Sequence, residues 1–207
     1  MIFIPCTHDY EVYAKRLVKS LPRSLLTCIV RYEDRGTWLA NTLEKPVAAF
    51  LSAVDRFRKL GDVWIFDADL VYTGRESLEP LFATLEGADM AVHRHITNES
   101  WRGPDQALSA GVVGFAPTPV GFASFAWWAH ACLTWGGDQG IRYPEQFLLW
   151  HASENALDMG GVVSDIDIRF NARPQSADGR DGMWDLPDDE IVLSHTPASR
   201  VERARKK

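Results

Sequence analysis

The sequence predicts a single α/β domain with a mostly parallel central sheet flanked by helices. A chain of 207 residues that is 46% hydrophobic and 24% charged has the size and balance of one globular domain with one core. Short apolar runs alternate with helical patterns through its first half, which is typical of crossover units in a parallel sheet. Val63–Phe66 is continuously apolar, as expected of a strand covered on both faces.

The first half predicts alternating strands and helices. They are a strand at Ile2–Pro5, a helix at about 10–20, a strand at 25–32, a helix from Pro46 to about 60 and the strand Val63–Phe66. Val12, Leu17 and Leu21 are spaced to form the buried stripe of the first helix. Because the first turn of a helix tolerates proline, we expect the second helix to begin at Pro46.

The second half is less regular. It predicts a short helix at 78–85, strands at 88–93 and 111–115, helices at about 120–134 and 144–156, and late strands near Val162 and at Ile191–Leu193. The segment 173–189 is rich in Pro, Gly and Asp and predicts a long loop, a length that favours a functional role.

Charge and cysteine content limit the ligands and the class of protein to be expected. The formal charge is −6, but residues 200–207 carry five cations and one anion, so the body is acidic and the tail basic. An acidic body suits a protein that collects divalent cations and disfavours extended contact with a polyanion. Cys6, Cys28 and Cys132 form no CxxC pair, and no apolar run reaches membrane-spanning length. We therefore expect a soluble, cytoplasmic protein.

Two carboxylates follow the buried strand directly. Ligands of parallel sheets bind beyond the carboxyl ends of the strands, where Asp67 and Asp69 stand. Oxygen ligands suit a hard divalent cation, which neutralises a diphosphate and stabilises it as a leaving group. His195 follows a late apolar strand, and imidazole joins carboxylates around metals such as manganese. Asp-x-Asp alone is a common pattern, so pairing it with His195 needs further support.

That support is a resemblance carried by four stretches in order along nearly the whole chain. Ile4–Tyr10 resembles a first strand and loop that hold a nucleoside, and Glu44–Pro46 with the later Asp67–Val71 resembles a Lys-Pro helix leading to a DxD strand. Ser109–Phe115 is similar to the Asn-Ser-Gly-Val stretch, and Val192–Arg200 to the closing histidine segment. The chain thus resembles glycosyltransferases of the GT-A (Rossmann-like) fold, in the nucleotide-diphospho-sugar transferase superfamily.

The resemblance implies a site and a reaction. Asp69 and His195 would ligate Mn²⁺ or Mg²⁺, with Asp67 on the metal or the donor ribose. Thr7, His8 and Tyr10 would lie near the base, and Lys45 and Arg200 would contact the nucleotide or diphosphate. The reaction would move a sugar from a nucleotide-diphosphate sugar, UDP-sugar being favoured, to a hydroxyl of a glycan or small molecule.

The same resemblance implies a division of the single domain 1–207. Residues 1–94 would be the nucleotide-binding half, 95–200 the acceptor half with the metal-binding C-terminal segment, and 201–207 a basic tail. Glu145, Asp105 and Asp138 are the candidate catalytic carboxylates, and whether the reaction inverts or retains configuration stays open. Ala110 departs from the family pattern, which has a polar residue there.

Two other functions remain open. One is glycosyl transfer onto modified, hydroxymethylated bases of viral DNA, which the basic tail favours and the acidic body disfavours. The other is a nucleotidyltransferase or a catalytically silent nucleotide-binding domain. The sequence has neither a Gly-rich phosphate loop of the dinucleotide or P-loop type nor a Gly-x-Ser-x-Gly elbow, which argues against dehydrogenases, P-loop enzymes and serine hydrolases.

Overall fold

The computed structural model describes residues 1–94, 108–137, 140–174, 185–187 and 189–195. The strands are β1 Ile2–Cys6, β2 Thr27–Arg31, β3 Val63–Phe66, β4 Leu70–Tyr72, β5 Met90–Arg94, β6 Leu108–Phe115, β7 Val163–Asp165, β8 Arg173–Pro174, β9 Asp185–Leu186 and β10 Leu193–His195. The α-helices are α1 Glu11–Ser20, α2 Trp38–Ala53, α3 Phe57–Leu60, α4 Glu79–Ala83, α5 Pro119–Leu133 and α6 Pro144–Asp158. Short 3₁₀ turns occupy His8–Tyr10, Val54–Arg56 and Ile168–Phe170.

The central sheet has six strands in the order β2-β1-β3-β6-β5-β7. The β1 strand pairs in parallel with β2 and β3, and β5 pairs in parallel with β7. Between these two groups β6 runs antiparallel to both β3 and β5. The prediction of a mostly parallel sheet flanked by helices is therefore confirmed, with one reversed strand inside the sheet.

The strand β3 lies at the centre of two hydrophobic layers. Its side chains alternate, so that Val63 and Ile65 pack with α2, α5 and α6, whereas Trp64 and Phe66 pack with α1 and α4. All four residues are buried. Covering both faces of the strand leaves no position for a polar side chain, which explains its uninterrupted apolar sequence.

The structure corrects two predictions about helices. The helix α2 begins at Trp38 instead of Pro46, because the Thr37 hydroxyl accepts a hydrogen bond of 3.2 Å from the Ala40 N–H and caps an earlier turn. Pro46 consequently lies inside the helix. In α1, Val12 is 65% exposed, and the buried face is formed by Glu11, Ala14 and Leu17.

The strands also differ in detail from the prediction. The strand expected at 111–115 starts at Leu108 and is buried throughout, and the last strand covers Leu193–His195 instead of Ile191–Leu193. The short strand β4 was not predicted, and it pairs antiparallel with β10. Within the expected loop 173–189, β8 pairs with β9, and residues 175–184 and 188 lie outside the described part of the chain.

Candidate active site

Three side chains separated widely in sequence meet beyond the carboxyl end of β3. Asp67 and Asp69 lie in the turn between β3 and β4, and His195 is the last residue of β10. The antiparallel pairing of β4 with β10 sets His195 opposite Leu70, directly beside Asp69. One ligand atom from each of Asp67, Asp69 and His195 lies within 4.8 Å of the other two.

The geometry of this group fits a divalent cation. The Nδ1 atom of His195 lies 3.3 Å from Oδ1 of Asp69, whose side chain is buried. Two neighbouring ligands about 2.1 Å from an octahedral cation are themselves about 3.0 Å apart, close to the observed separation. Carboxylate oxygens and an imidazole nitrogen are ligands that divalent cations take in proteins. Among the described residues, Asp67, Asp69 and His195 can therefore hold a divalent cation.

A buried amide supports His195 from the side away from Asp69. Oδ1 of Asn171 lies 2.9 Å from Nε2 of His195, and Asn171 has no exposed surface. Gly111 on β6 makes room for this contact, since a Cβ at that position would approach Asn171 Oδ1 to 2.3 Å and His195 Nε2 to 3.1 Å. Asn171 was not predicted as a site residue, because its neighbours along the chain give no sign of a polar contact with a histidine.

Lys45 connects Asp67 to a third carboxylate. Its ammonium group donates hydrogen bonds to Asp67 Oδ1 at 2.6 Å and to the Ala110 carbonyl at 3.0 Å, and it lies 2.5 Å from Glu145 Oε1. Lys45 is almost fully buried. Burial alone lowers the pKa of Lys45, but the adjacent Asp67 and Glu145 carboxylates outweigh it and raise that pKa above its usual value. Lys45 is therefore a cation at any physiological pH.

Glu145 lies in the first turn of α6, and its side chain is buried against Lys45. The indole N–H of Trp128 on α5 donates a hydrogen bond of 3.1 Å to the Glu145 backbone carbonyl, which fixes this turn. The structure thus brings Glu145 next to Asp67 through one shared lysine. Its role as a catalytic carboxylate stays a prediction.

The residues expected near the base follow β1. Thr7 is buried, while the His8 side chain is 92% exposed in the 3₁₀ turn. The ring of Tyr10 packs against Tyr13 with centroids 5.5 Å apart. Because β1 is parallel to β3, these residues and Asp67 stand at the same edge of the sheet.

An ion cluster at this edge was not predicted. The Glu11 carboxylate accepts a hydrogen bond of 2.5 Å from Arg31 at the end of β2 and lies 2.7 Å from the Lys15 ammonium. Hydrogen bonds from Arg31 and then Lys15 hold the pKa of Glu11 at about 2. The cluster ties the start of α1 to the end of β2, and the i, i+4 spacing of Glu11 and Lys15 was its one signal in the sequence.

Three other predicted site residues, Asp105, Asp138 and Arg200, lie outside the described residues, as does the basic tail 201–207. In the part of the chain that the structure describes, no helix has the length and apolar character needed to cross a membrane.

Comparison with known proteins gives structural matches only. No protein-family model and no curated protein sequence matches the chain. A glycosyltransferase involved in the glycosylation of the major capsid of PBCV-1 superposes with a TM-score of 0.65 at 12% identity, over 99% of this chain and 97% of its own. The chain has the GT-A glycosyltransferase fold.

Two further structures agree with this fold assignment. Mouse xyloside xylosyltransferase 1 superposes with a TM-score of 0.50 at 13% identity, over 96% of this chain and 97% of its own. The glycosyltransferase GlyE of Streptococcus pneumoniae TIGR4 superposes with a TM-score of 0.55 at 14% identity, over 94% of this chain and 53% of its own. Identities of this size establish the fold alone.

Proposed function

We propose that the chain is a divalent-cation-dependent glycosyltransferase that moves a sugar from a nucleotide-diphosphate sugar to an acceptor hydroxyl. The observation that carries the proposal is the group of Asp67, Asp69 and His195, with ligand atoms within 4.8 Å of one another at the carboxyl edge of the sheet in a GT-A fold. In α/β sheets this edge is where ligands bind.

The bound cation supplies neutralisation of the diphosphate leaving group. Asp69, in the turn before β4, and His195, at the end of β10, would hold it. Lys45 donates a hydrogen bond to one carboxylate oxygen of Asp67. The other oxygen is then available to ligate the cation or to accept from the donor ribose. A fixed lysine contact limits the rotation of the Asp67 carboxylate, so the ligand is positioned before the donor arrives.

The charges of the site favour a cation with an anionic donor. Among the described residues of this group, the carboxylates are Asp67, Asp69 and Glu145, and the one buried ammonium is that of Lys45, which contacts Asp67 and Glu145. A divalent cation balances this excess, and the diphosphate then meets a metal site that is no longer repulsive. Without the cation, a nucleotide diphosphate approaching the same carboxylates is repelled. Donor binding is therefore expected to require the metal.

We place the donor base beside Thr7, His8 and Tyr10 and assign the diphosphate contact to Arg200, with a UDP-sugar as the favoured donor. The catalytic carboxylate is one of Glu145, Asp105 and Asp138. Because Glu145 lies 2.5 Å from the Lys45 ammonium, its carboxylate is paired with that cation and held in place, which favours a role in positioning Lys45 and Asp67.

A thermal-shift screen tests the proposal. Wild type, Asp69→Ala and the control Asp55→Ala, which removes an exposed carboxylate of the 3₁₀ turn after α2, are heated with Mn²⁺ and each of UDP-, GDP- and ADP-sugars. We expect one donor class to stabilise wild type and Asp55→Ala but not Asp69→Ala. The proposal fails if no nucleotide sugar stabilises wild type, or if Asp69→Ala responds as wild type does.

Release of free nucleoside diphosphate separates transfer from silent binding. Wild type is incubated with the stabilising donor, Mn²⁺ and a panel of sugar and small-molecule acceptors. Release that depends on both metal and acceptor supports a transferase, whereas binding without release supports a silent nucleotide-binding domain. A DNA acceptor would show itself by DNA affinity that falls steeply with salt.

A further inference from the structure

We infer that Asn171 is a positioning residue that fixes the tautomer of His195, so that Nδ1 carries the lone pair on the side of Asp69. The inference deepens the proposed function, because its consequence for metal binding rests on the assignment of His195 as a ligand. The tautomer itself is a property of the metal-free protein and is measured independently.

The backbone holds Asn171 and His195 in a fixed relation. Asn171 ends the 3₁₀ turn Ile168–Phe170, and its N–H donates a hydrogen bond of 2.9 Å to the Ile168 carbonyl. The next residue, Ala172, forms a parallel bridge with Ser194, and its carbonyl accepts a hydrogen bond of 3.1 Å from the His195 N–H. The amide therefore approaches the imidazole from a defined direction.

The side-chain contact specifies which nitrogen carries the proton. An amide oxygen only accepts hydrogen bonds, so Oδ1 of Asn171, 2.9 Å from Nε2, requires the proton of His195 to be on Nε2. A neutral imidazole has one N–H, and Nδ1 is then a lone-pair donor. Nδ1 is also the nitrogen 3.3 Å from Asp69 Oδ1.

This arrangement prepares two ligand atoms for one cation. In the Nε2–H tautomer no histidine proton lies between Nδ1 and Asp69 Oδ1, so both atoms can ligate the same cation. The opposite amide orientation would donate Nδ2–H to Nε2, move the imidazole proton to Nδ1 and direct it to Asp69. That alternative closes the site with an internal hydrogen bond, so the amide orientation decides whether His195 is ready to bind metal.

Burial and charge both suit this role. Asn171 is fully buried, Gly111 leaves space for Oδ1, and Nδ2 has no hydrogen-bond partner among the described residues. Oδ1 is thus the amide atom committed to a contact, and that contact is with His195. An amide is uncharged, so it sets the tautomer without adding to the carboxylates of Asp67, Asp69 and Glu145.

Nitrogen NMR reads the tautomer directly. Protein labelled with ¹⁵N-histidine is examined without metal at a pH where imidazole is neutral, and the His195 signals are assigned by their loss in His195→Gln. We expect the Nε2–H form to exceed the Nδ1–H form by about fivefold, the ratio that a hydrogen bond of ordinary net strength produces. Asn171→Ala should lose this preference, whereas Asn171→Asp, which keeps an acceptor at the same place, should retain it.

Mn²⁺ titration followed by electron paramagnetic resonance tests the consequence. We expect Asn171→Ala to bind Mn²⁺ about 10–100-fold more weakly than wild type, as for other residues that orient metal ligands. The control Asn155→Ala, on α6, should bind as wild type does.

The two measurements separate the possible failures. A dominant Nδ1–H form in wild type, or an unchanged tautomer and Mn²⁺ affinity in folded Asn171→Ala, overturns the inference, because a merely structural asparagine would lower stability alone. If wild type shows the Nε2–H form and binds no Mn²⁺, the metal dependence of the proposed function fails while the role of Asn171 in setting the tautomer stands.

Discussion

The buried ammonium group of Lys45 donates a hydrogen bond of 2.6 Å to Asp67 Oδ1, joining the middle of helix α2 to the turn that carries Asp67 and Asp69. This contact, with Glu145 on its other side, makes the candidate metal site continuous with the core. Stability and site geometry should therefore respond together when the lysine is changed.

Replacing Lys45 with Met should destabilise the protein strongly. The substitution leaves Asp67 and the buried Glu145 without their shared cation, and breaking a buried ion pair from one side costs about 3–5 kcal/mol. Urea denaturation should show this loss, while Lys19→Met, an exposed change on α1, should stay within about 0.5 kcal/mol of wild type. Adding Glu145→Gln to Lys45→Met should recover part of the loss. Equal stability of Lys45→Met and Lys19→Met would contradict this account.

Replacing the imidazole of His195 should lower the affinity for the metal ion without unfolding the chain. His195 lies at the end of the two-stranded β4–β10 ribbon, and Gln preserves a neutral polar side chain there. We expect His195→Gln to bind Mn²⁺ at least about tenfold more weakly than wild type by calorimetry, since replacing a ligand should cost no less than replacing its support. Chelation with EDTA should abolish donor-induced stabilisation of wild type, and added Mn²⁺ should restore it. Persistence of that stabilisation in EDTA would count against a metal-dependent donor site.

Adding one methyl group at Gly111 should displace the Asn171 and His195 side chains of the site. The new Cβ would lie 2.3 Å from Asn171 Oδ1, so the Asn171–His195 contact must shift, at a cost of about 1–3 kcal/mol. Gly136→Ala is the matched control, since its Cβ meets nothing within 4 Å. We expect Gly111→Ala to lower both the unfolding midpoint and Mn²⁺ affinity and Gly136→Ala to lower neither. Wild-type Mn²⁺ affinity in Gly111→Ala would show that the His195 position does not depend on this space.

The ion cluster of Glu11, Arg31 and Lys15 should contribute stability that acid removes. The pKa of Glu11 is about 2 in the folded protein against an ordinary value of 4.5, so the folded state binds the proton less readily than the unfolded state. The contribution is complete above the ordinary value and is lost as the pH falls through that value towards 2. Urea midpoints of wild type and Glu11→Gln should therefore differ most near neutral pH and approach each other as the pH falls from 4.5 towards about 2. A gap that is constant with pH would exclude this ionic origin.

The parts of the fold and site that could be predicted are those with a pattern in consecutive residues of the sequence. The strand Val63–Phe66 and the carboxylates after it were accessible because burial on both faces and the bend after a strand leave local patterns. His195 could be joined to Asp69 only through the family resemblance, since a strand pair spanning more than a hundred residues brings them together. Helix propensity did not predict that α2 would begin after Thr37, well before Pro46. Because Lys45 therefore lies inside this helix, its burial was not predicted either.

Asn171 shows most clearly why the other site residues could not be predicted from the sequence. Its neighbours in sequence, Phe170 and Ala172, are buried hydrophobic residues, and an asparagine beside them reads as a turn residue. Its function comes from the bridge between Ala172 and Ser194 and from the missing side chain of Gly111 on a different strand. Contacts assembled from three separate segments leave no periodic trace along the chain.

The reversed direction of β6 divides that strand into two halves with different tolerance to substitution. Its early residues stand where β3 ends, and there the Ala110 carbonyl accepts from Lys45 and the Gly111 carbonyl accepts from the Asp67 N–H at 2.8 Å. Its later residues reach the opposite edge, where Gly114 lies against the Trp64 ring. Variation confined to 109–111 should thus alter catalysis and metal affinity, whereas variation confined to 113–115 should alter only how well the chain folds.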